Sequence, residues 1–140
     1  MINLYIFSNK SRGGLYGVGT YIRELITALR SKSNSIHIHV VHILCDQLQI
    51  EKKEVKDVSY WYFPEPISKE WNLLDQEQRK VYSRNIVYLL RNYIQDQKNL
   101  VFHLNSYRDK SLALELKIAF DCKVITVTHF SDGVQLFMIT

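Results

Sequence analysis

The chain has 140 residues, a length that holds one domain with a sizeable core and falls short of two. Hydrophobic residues make 46% and charged residues 23% of it, the balance of an ordinary globular domain, and no run is apolar for the length of a membrane span. The formal net charge of +4 is spread along the chain, so no block of Lys and Arg marks a nucleic-acid groove. Such a balance is compatible with anionic substrates or lipid headgroups and demands neither. The first residues carry no basic segment ahead of their apolar run and do not read as a signal peptide. Cys45 and Cys122 are far apart, each in or beside an apolar run, which fits two buried thiols in a reducing compartment better than a disulfide.

In chain order, residues 2–7 form a short apolar run with little polar interruption, as expected of a strand covered on both faces. Arg12-Gly13-Gly14-Leu15-Tyr16-Gly17-Val18-Gly19-Thr20 follows and holds four of the five glycines. Val18, Ile22, Leu25, Ile26 and Leu29 then recur at helical spacing, predicting a helix over 18–30 with Thr20 as a cap and Arg30 and Lys32 in the closing turn. Residues 36–44 read as a second strand with His37, His39 and His42 interleaved, and 55–63 as a third after the charged stretch Glu51-Lys52-Lys53-Glu54. The apolar stripe through Val81 or Tyr82, Ile86, Leu89, Leu90, Tyr93 and Ile94 predicts a long helix over 75–95. A compact strand at 100–104, a helix at 111–120 and a β-branched strand at 123–128 complete the alternation, and the final apolar run 134–140 has no helix after it. Strand and helix alternating with short connections predict an α/β domain, a Rossmann-like three-layer sandwich with a mainly parallel sheet.

In such a sheet ligands bind at the carboxyl ends of the strands. That edge gathers the glycine segment, Asn105-Ser106-Tyr107 and His129-Phe130-Ser131-Asp132-Gly133. A glycine turn between a first strand and a first helix lets backbone N–H groups crowd around an anionic oxygen, and the helix dipole favours the same charge. The familiar phosphate loops are incomplete here. Gly17-Val18-Gly19 opens a dinucleotide fingerprint, but Ile22 occupies its third glycine position; Gly14 to Gly19 followed by Thr20 has Walker spacing without the lysine. His37 and His39 share a strand face but lack the Cys, Asp or Glu that would complete a metal set, and His103 lies inside a strand, where a structural role is expected. His129 stands where the β-branched run stops, placed to exchange a hydrogen bond with a sugar hydroxyl. Neither a serine triad nor a pair of carboxylates set for hydrolysis is marked.

Three segments together resemble a known pattern. Leu4-Tyr5-Ile6-Phe7 with Gly13-Gly14 and Gly17-Val18-Gly19-Thr20-Tyr21-Ile22-Arg23-Glu24-Leu25, then Val101-Phe102-His103-Leu104-Asn105-Ser106, then Val124-Ile125-Thr126-Val127-Thr128-His129, are similar in order to the amino-terminal domain of retaining family 4 (group 1) glycosyltransferases with the two-domain GT-B fold. The resemblance implies that Gly13, Gly14 and Gly17 belong to a loop near the donor diphosphate, that His129 contacts the sugar as the catalytic histidine, and that Asn105 and Ser106 lie on the acceptor side. Phe130-Ser131-Asp132 departs from the small residue or Asp that usually follows that histidine. It further implies no metal and no other cofactor, a nucleotide-sugar donor held mainly by a carboxyl-terminal domain absent from these residues, and a carbohydrate or lipid-linked acceptor.

The expectation is therefore a truncated amino-terminal domain spanning 1–140, inactive alone, whose parent transfers sugar with retention in polysaccharide biosynthesis. It is expected in the cytoplasm or at the inner face of the membrane, with peripheral membrane contact, weak self-association and no nucleic-acid partner. Two readings stand beside it: a non-catalytic α/β binding or regulatory module, for which exposed Trp61, Tyr62 and Phe63 would be the partner surface, and a nucleotide-binding enzyme with an atypical glycine loop. A missing domain also predicts exposed apolar area at 61–63 and 134–139.

Overall fold

The computed structural model of the chain describes residues 1–9, 17–64, 74–105, 110–130 and 133–139. Its elements are β1 (Ile2–Asn9), α1 (Gly17–Lys32), β2 (Ile36–Cys45), β3 (Glu51–Val55), β4 (Val58–Pro64), α2 (Gln76–Tyr93), β5 (Leu100–Leu104), α3 (Lys110–Phe120), β6 (Lys123–Phe130) and β7 (Gly133–Ile139). They build one seven-stranded sheet in the order β3-β4-β2-β1-β5-β6-β7. β1 runs parallel to both β2 and β5, β2 to β4, and β5 to β6. The two edge strands, β3 and β7, are antiparallel to their neighbours. The fold is thus α/β with a mixed, mostly parallel sheet, Rossmann-like in general: counting parallel strands alone, their order is 3-2-1-4-5, and it reverses between β1 and β5.

Alternation along the strands divides the core in two. Leu4 and Ile6 of β1, with Ile38, Val40 and Val58, pack against Ile22 and Ile26 of α1. Tyr5 and Phe7, with Val41, Ile43, Trp61, Phe63, Phe102 and Val124, pack against Ile86, Val87 and Leu90 of α2 and Leu112, Ala113 and Leu116 of α3. Both faces of β1 are therefore dry, which is why its sequence shows an apolar run rather than an alternation. Asp75 caps α2 through a reciprocal box: it accepts from the Gln78 N–H at 2.8 Å, and the Gln78 side chain accepts from the Asp75 N–H at 3.0 Å. On the stripe of α2 it is Tyr82 that faces the sheet, while Val81 points out. The Tyr82 hydroxyl accepts from the Leu44 N–H at 3.1 Å and donates to the Pro64 carbonyl at 2.7 Å. Leu44 has φ 59 beside a register irregularity between His42 and Cys45, so this hydroxyl serves the backbone where β2 and β4 leave regular pairing.

Four sequence expectations are corrected. The strand read over 55–63 is a hairpin: Lys56 and Asp57 have φ 50 and 67, the double positive angle of a two-residue primed turn, and the charged stretch before them is the edge strand β3. Charges suit that place because they discourage pairing with another chain. Thr20 lies inside α1 rather than before it, and its hydroxyl accepts from Arg23 Nη2 at 3.2 Å. Trp61 and Phe63 are buried under α2, at 6% and 0% exposure, and only Tyr62 is half-exposed, because β4 is an interior strand. The partner surface expected there does not exist. Finally, β6 runs on to Phe130 and turns back through β7, so the last apolar run is an edge strand. Cys45 is buried, Cys122 half-buried, and neither is in a disulfide. No helix among the described residues is long and apolar enough to cross a membrane.

Candidate site at the carboxyl ends of the strands

The order of the parallel strands reverses between β1 and β5, and in sheets of this kind ligands bind at the carboxyl ends beside such a reversal. Asn105, the residue after β5, is buried there and donates its side-chain N–H to the Phe7 carbonyl at 3.0 Å. That bond joins the ends of the two strands at the reversal. One register row inward, His103 is buried on the α1 face, with Nε2 3.3 Å from the Tyr21 hydroxyl and the two rings stacked at 6.0 Å. Tyr21 belongs to the first turns of α1, and burial raises its pKa above the usual phenol value. The pair thus fastens the start of α1, with its positive dipole end, close to the strand reversal. His103 is structural in this sense, as its place inside a strand suggests.

Nearer the carboxyl ends than the His103–Ile6 row, a second row crosses the other half of the sheet. Ser8 pairs with His42, and His42 with Tyr62, all on the α1 face by alternation with Ile6, Val40 and Tyr60. The His42 ring stacks with Tyr62 at 5.0 Å and with Tyr60 at 6.3 Å, and Lys53 Nζ lies 5.5 Å from the Tyr62 ring centroid. The result is a band of hydrogen-bonding groups and half-buried rings running from Asn105 to Tyr62, with Lys53 at its rim. Such a band suits a ligand rich in hydroxyl groups and apolar ring faces. His42 is a functional candidate that sequence reasoning passed over, and Tyr62, expected on a partner surface with Trp61 and Phe63, joins it here instead. Parity separates His42 from His37 and His39, but only register brings it beside Ser8 and Tyr62.

Of the residues marked in the sequence, Gly17 is the first residue of α1. Gly13, Gly14 and Ser106 lie outside the described residues. His129 was expected at the end of a parallel strand, opening into a loop. Its backbone instead lies within β6 and pairs with Val134, beyond the last parallel pair, Leu104 with Thr126. β-Branched residues stop at Thr128, but antiparallel pairing with β7 carries the strand on.

A contrasting polar cluster occupies the amino ends of the strands on the opposite face. Trp61 Nε1 donates to His39 Nδ1 at 3.3 Å, which puts the proton of the neutral ring on Nε2, and Nε2 is buried with no hydrogen-bond partner. Tyr5 stacks flat on His39 at 4.1 Å, and His37 approaches it at 4.2 Å. Burial first, then the charges of His37 and Lys52, depress the His39 pKa to about 3, against an opposing pull from Glu54. Burial, helped by Asp96, raises that of Tyr5 to about 12. Ser59 donates to Glu54 at 2.6 Å, the main cause of a lowered Glu54 pKa, and stands 3.2 Å from His37 Nε2. A cleft of about 500 Å³ opens nearby, with Arg30, Asn34, His37, Glu54 and Asp57 on its wall. It lies at the end of the sheet away from the strand reversal, so the carboxyl-end band is the better candidate. Among the described residues no three His, Cys, Asp or Glu side chains are grouped to hold a metal ion.

Comparison of the chain with protein-family models, with curated proteins and with solved structures finds no match to any of them.

Proposed function

We propose that this chain is the acceptor-side, amino-terminal domain of a retaining GT-B glycosyltransferase, acting with a second domain that holds most of the nucleotide-sugar. The observation that carries this reading is the convergence at the β1–β5 reversal: β1 ends there, Asn105 closes the end of β5, and Tyr21 and His103 fasten the start of α1 nearby. They belong to two of the three segments on which the family resemblance rests. In this reading the Gly13-Gly14 loop offers N–H groups to the departing diphosphate, a role a Cβ would obstruct. His129 steadies the sugar as positive charge develops at its anomeric carbon, and the band from Asn105 to Tyr62 receives the acceptor. Closure between the two domains excludes water and brings donor and acceptor oxygens together. The acceptor is a glycan or a lipid-linked sugar, and the enzyme works in the cytoplasm or at the inner face of the membrane.

The test uses the full-length parent. It should release nucleoside diphosphate from a nucleotide-sugar in the presence of acceptor, and His129→Ala should lower kcat by about 10²-fold, the usual cost of removing one transition-state contact. Unchanged kcat and KM in that variant would remove His129 from the mechanism. The 140-residue chain alone should bind nucleotide-sugars weakly or not at all. Binding by this chain alone in the range of ~1 μM to 1 mM favours the second reading, a self-sufficient nucleotide enzyme, which the strand–glycine loop–helix order at β1 and α1 also suits.

A further inference from the structure

The outer part of the carboxyl-end band is joined by ring contacts. His42 on β2 stacks with Tyr62 and Tyr60 on β4, the ring planes 21° and 10° from parallel, and Lys53 on β3 places Nζ 5.5 Å from the Tyr62 ring centroid. All three rings are half-exposed although they share a sheet face with α1. The course of that helix accounts for their exposure. Its first turns lie at β5, where Tyr21 meets His103, and its last turn reaches the amino ends of β2 and β4, where Arg30 shares a cleft wall with Ile38 and Val58. The helix therefore crosses the sheet obliquely, away from the carboxyl ends of β2 and β4. Both α2 and α3 pack on the opposite face, so among the described residues no second helix covers these rings.

These rings stand far from the place of transfer proposed above. β6, β5, β1, β2 and β4 are successive neighbours in the sheet, so His129 on β6 and Tyr62 on β4 are four strand spacings apart, about 19 Å. One sugar ring cannot touch both. The rim also has a charge balance of its own. Glu51 pairs across the strands with Tyr62, and Lys53 with Tyr60, which puts both charged residues on the face of the rings. They offer hydroxyl groups an acceptor and a donor, and as a pair they carry no net charge to draw a phosphate or a carboxylate. We infer, resting on the glycosyltransferase reading above, that the acceptor is a chain of several uncharged sugars, and that His42, Tyr60, Tyr62 and Lys53 form a remote subsite for a sugar that does not react. The chain runs across the strand ends from His129 to these rings. Contacts at the remote sugar hold the reacting hydroxyl in place, so they act on transfer without touching it. An acceptor with a single sugar leaves the subsite empty and gains nothing from it.

The 140-residue chain is titrated by NMR with glucose and with its maltose-series and cellobiose-series oligomers up to the pentasaccharide. In at least one series affinity should rise about 10-fold or more with length, with chemical-shift changes at Tyr62 and Lys53 that glucose does not produce. Tyr62→Ala and Lys53→Ala should each remove most of that rise. Neither side chain is fully buried, so circular dichroism should show an unchanged fold. In the full-length parent, with the nucleotide-sugar held constant, kcat/KM should be about 10-fold or more higher for an oligosaccharide acceptor than for the single sugar that ends it, and Tyr62→Ala should abolish that ratio. A parent that transfers sugar equally well to short and long acceptors overturns the remote subsite and leaves the glycosyltransferase reading standing. A length advantage that survives both Tyr62→Ala and Lys53→Ala overturns it as well, as does the absence of length-dependent binding to the 140-residue chain in both series. A parent that transfers sugar to no acceptor of any length overturns the glycosyltransferase reading itself, and the acceptor inferred here with it.

Discussion

Two histidines on one strand, His39 and His42, stand in opposite circumstances only three residues apart. His39 faces α2 near the amino ends of the strands, sealed beneath Tyr5, His37 and Trp61. His42 faces the α1 side at the carboxyl ends, half-exposed among Tyr60 and Tyr62. The first ring is held neutral because its surroundings exclude water and add positive neighbours. The second lies in the band proposed above to receive the acceptor. A strand that turns alternate side chains to opposite faces buries one histidine and leaves another half-exposed.

Breaking the sealed side should cost most. Trp61→Ala removes a buried indole from the core and strands His39 Nδ1 without its donor, so a loss of ~3–5 kcal/mol is expected by urea unfolding. A loss below ~1 kcal/mol would mean that the cluster packs far more loosely than its distances indicate.

Acid should test the same cluster. Folded His39 stays unprotonated until about pH 3, whereas in the unfolded chain it takes up a proton near 6.5, so the unfolded state binds more protons between those values. Its contribution to stability is complete above pH 6.5 and is lost as pH falls toward 3. Glu54 and Asp96, with lowered pKa values, add their own losses only below the ordinary carboxylate range. His39→Gln, which keeps an acceptor for Trp61, should flatten the fall in urea midpoint between pH 6.5 and about 4.5. An unaltered slope in that window assigns the acid sensitivity to another group.

Where the two sides meet, Tyr82 is the informative residue. Its hydroxyl serves both the Leu44 N–H and the Pro64 carbonyl, so Tyr82→Phe should cost ~1–3 kcal/mol in unfolding experiments. Equal stability would mean that water replaces both bonds. On the open side the stability effect should be smallest: His42→Gln should change unfolding free energy by less than ~1 kcal/mol. If the band receives the acceptor, the same substitution raises KM for acceptor in the full-length parent, and an unchanged KM takes His42 out of the site.

Much of the fold was legible from residue order. The runs at 2–7 and 100–104 are strands buried on both faces, and Ile22 with Ile26, or Leu112 with Leu116, show the helical period that a one-sided core imposes. What could not be read there were the edges. Glu51-Lys52-Lys53-Glu54 looks like a loop because an exposed edge strand needs no apolar face, and only the positive φ angles of Lys56 and Asp57 turn it into a hairpin. The aromatic run at 60–63 suggested an exposed surface because composition does not tell whether a strand lies at an edge or inside; between β2 and β3 it lies inside.

The sequence by itself determined the α/β class, the chain order of strands and helices, and the position of a glycine segment after the first strand, because periodicity and glycine content act locally. Tertiary structure decided which residues meet. The pairing of Ser8 with His42 and Tyr62, the bond from Asn105 to the Phe7 carbonyl, and the enclosure of His39 under Trp61 all depend on register between strands distant in sequence. Register is set by packing of both sheet faces at once, and shifting one strand by a single residue would send every one of its side chains to the other face.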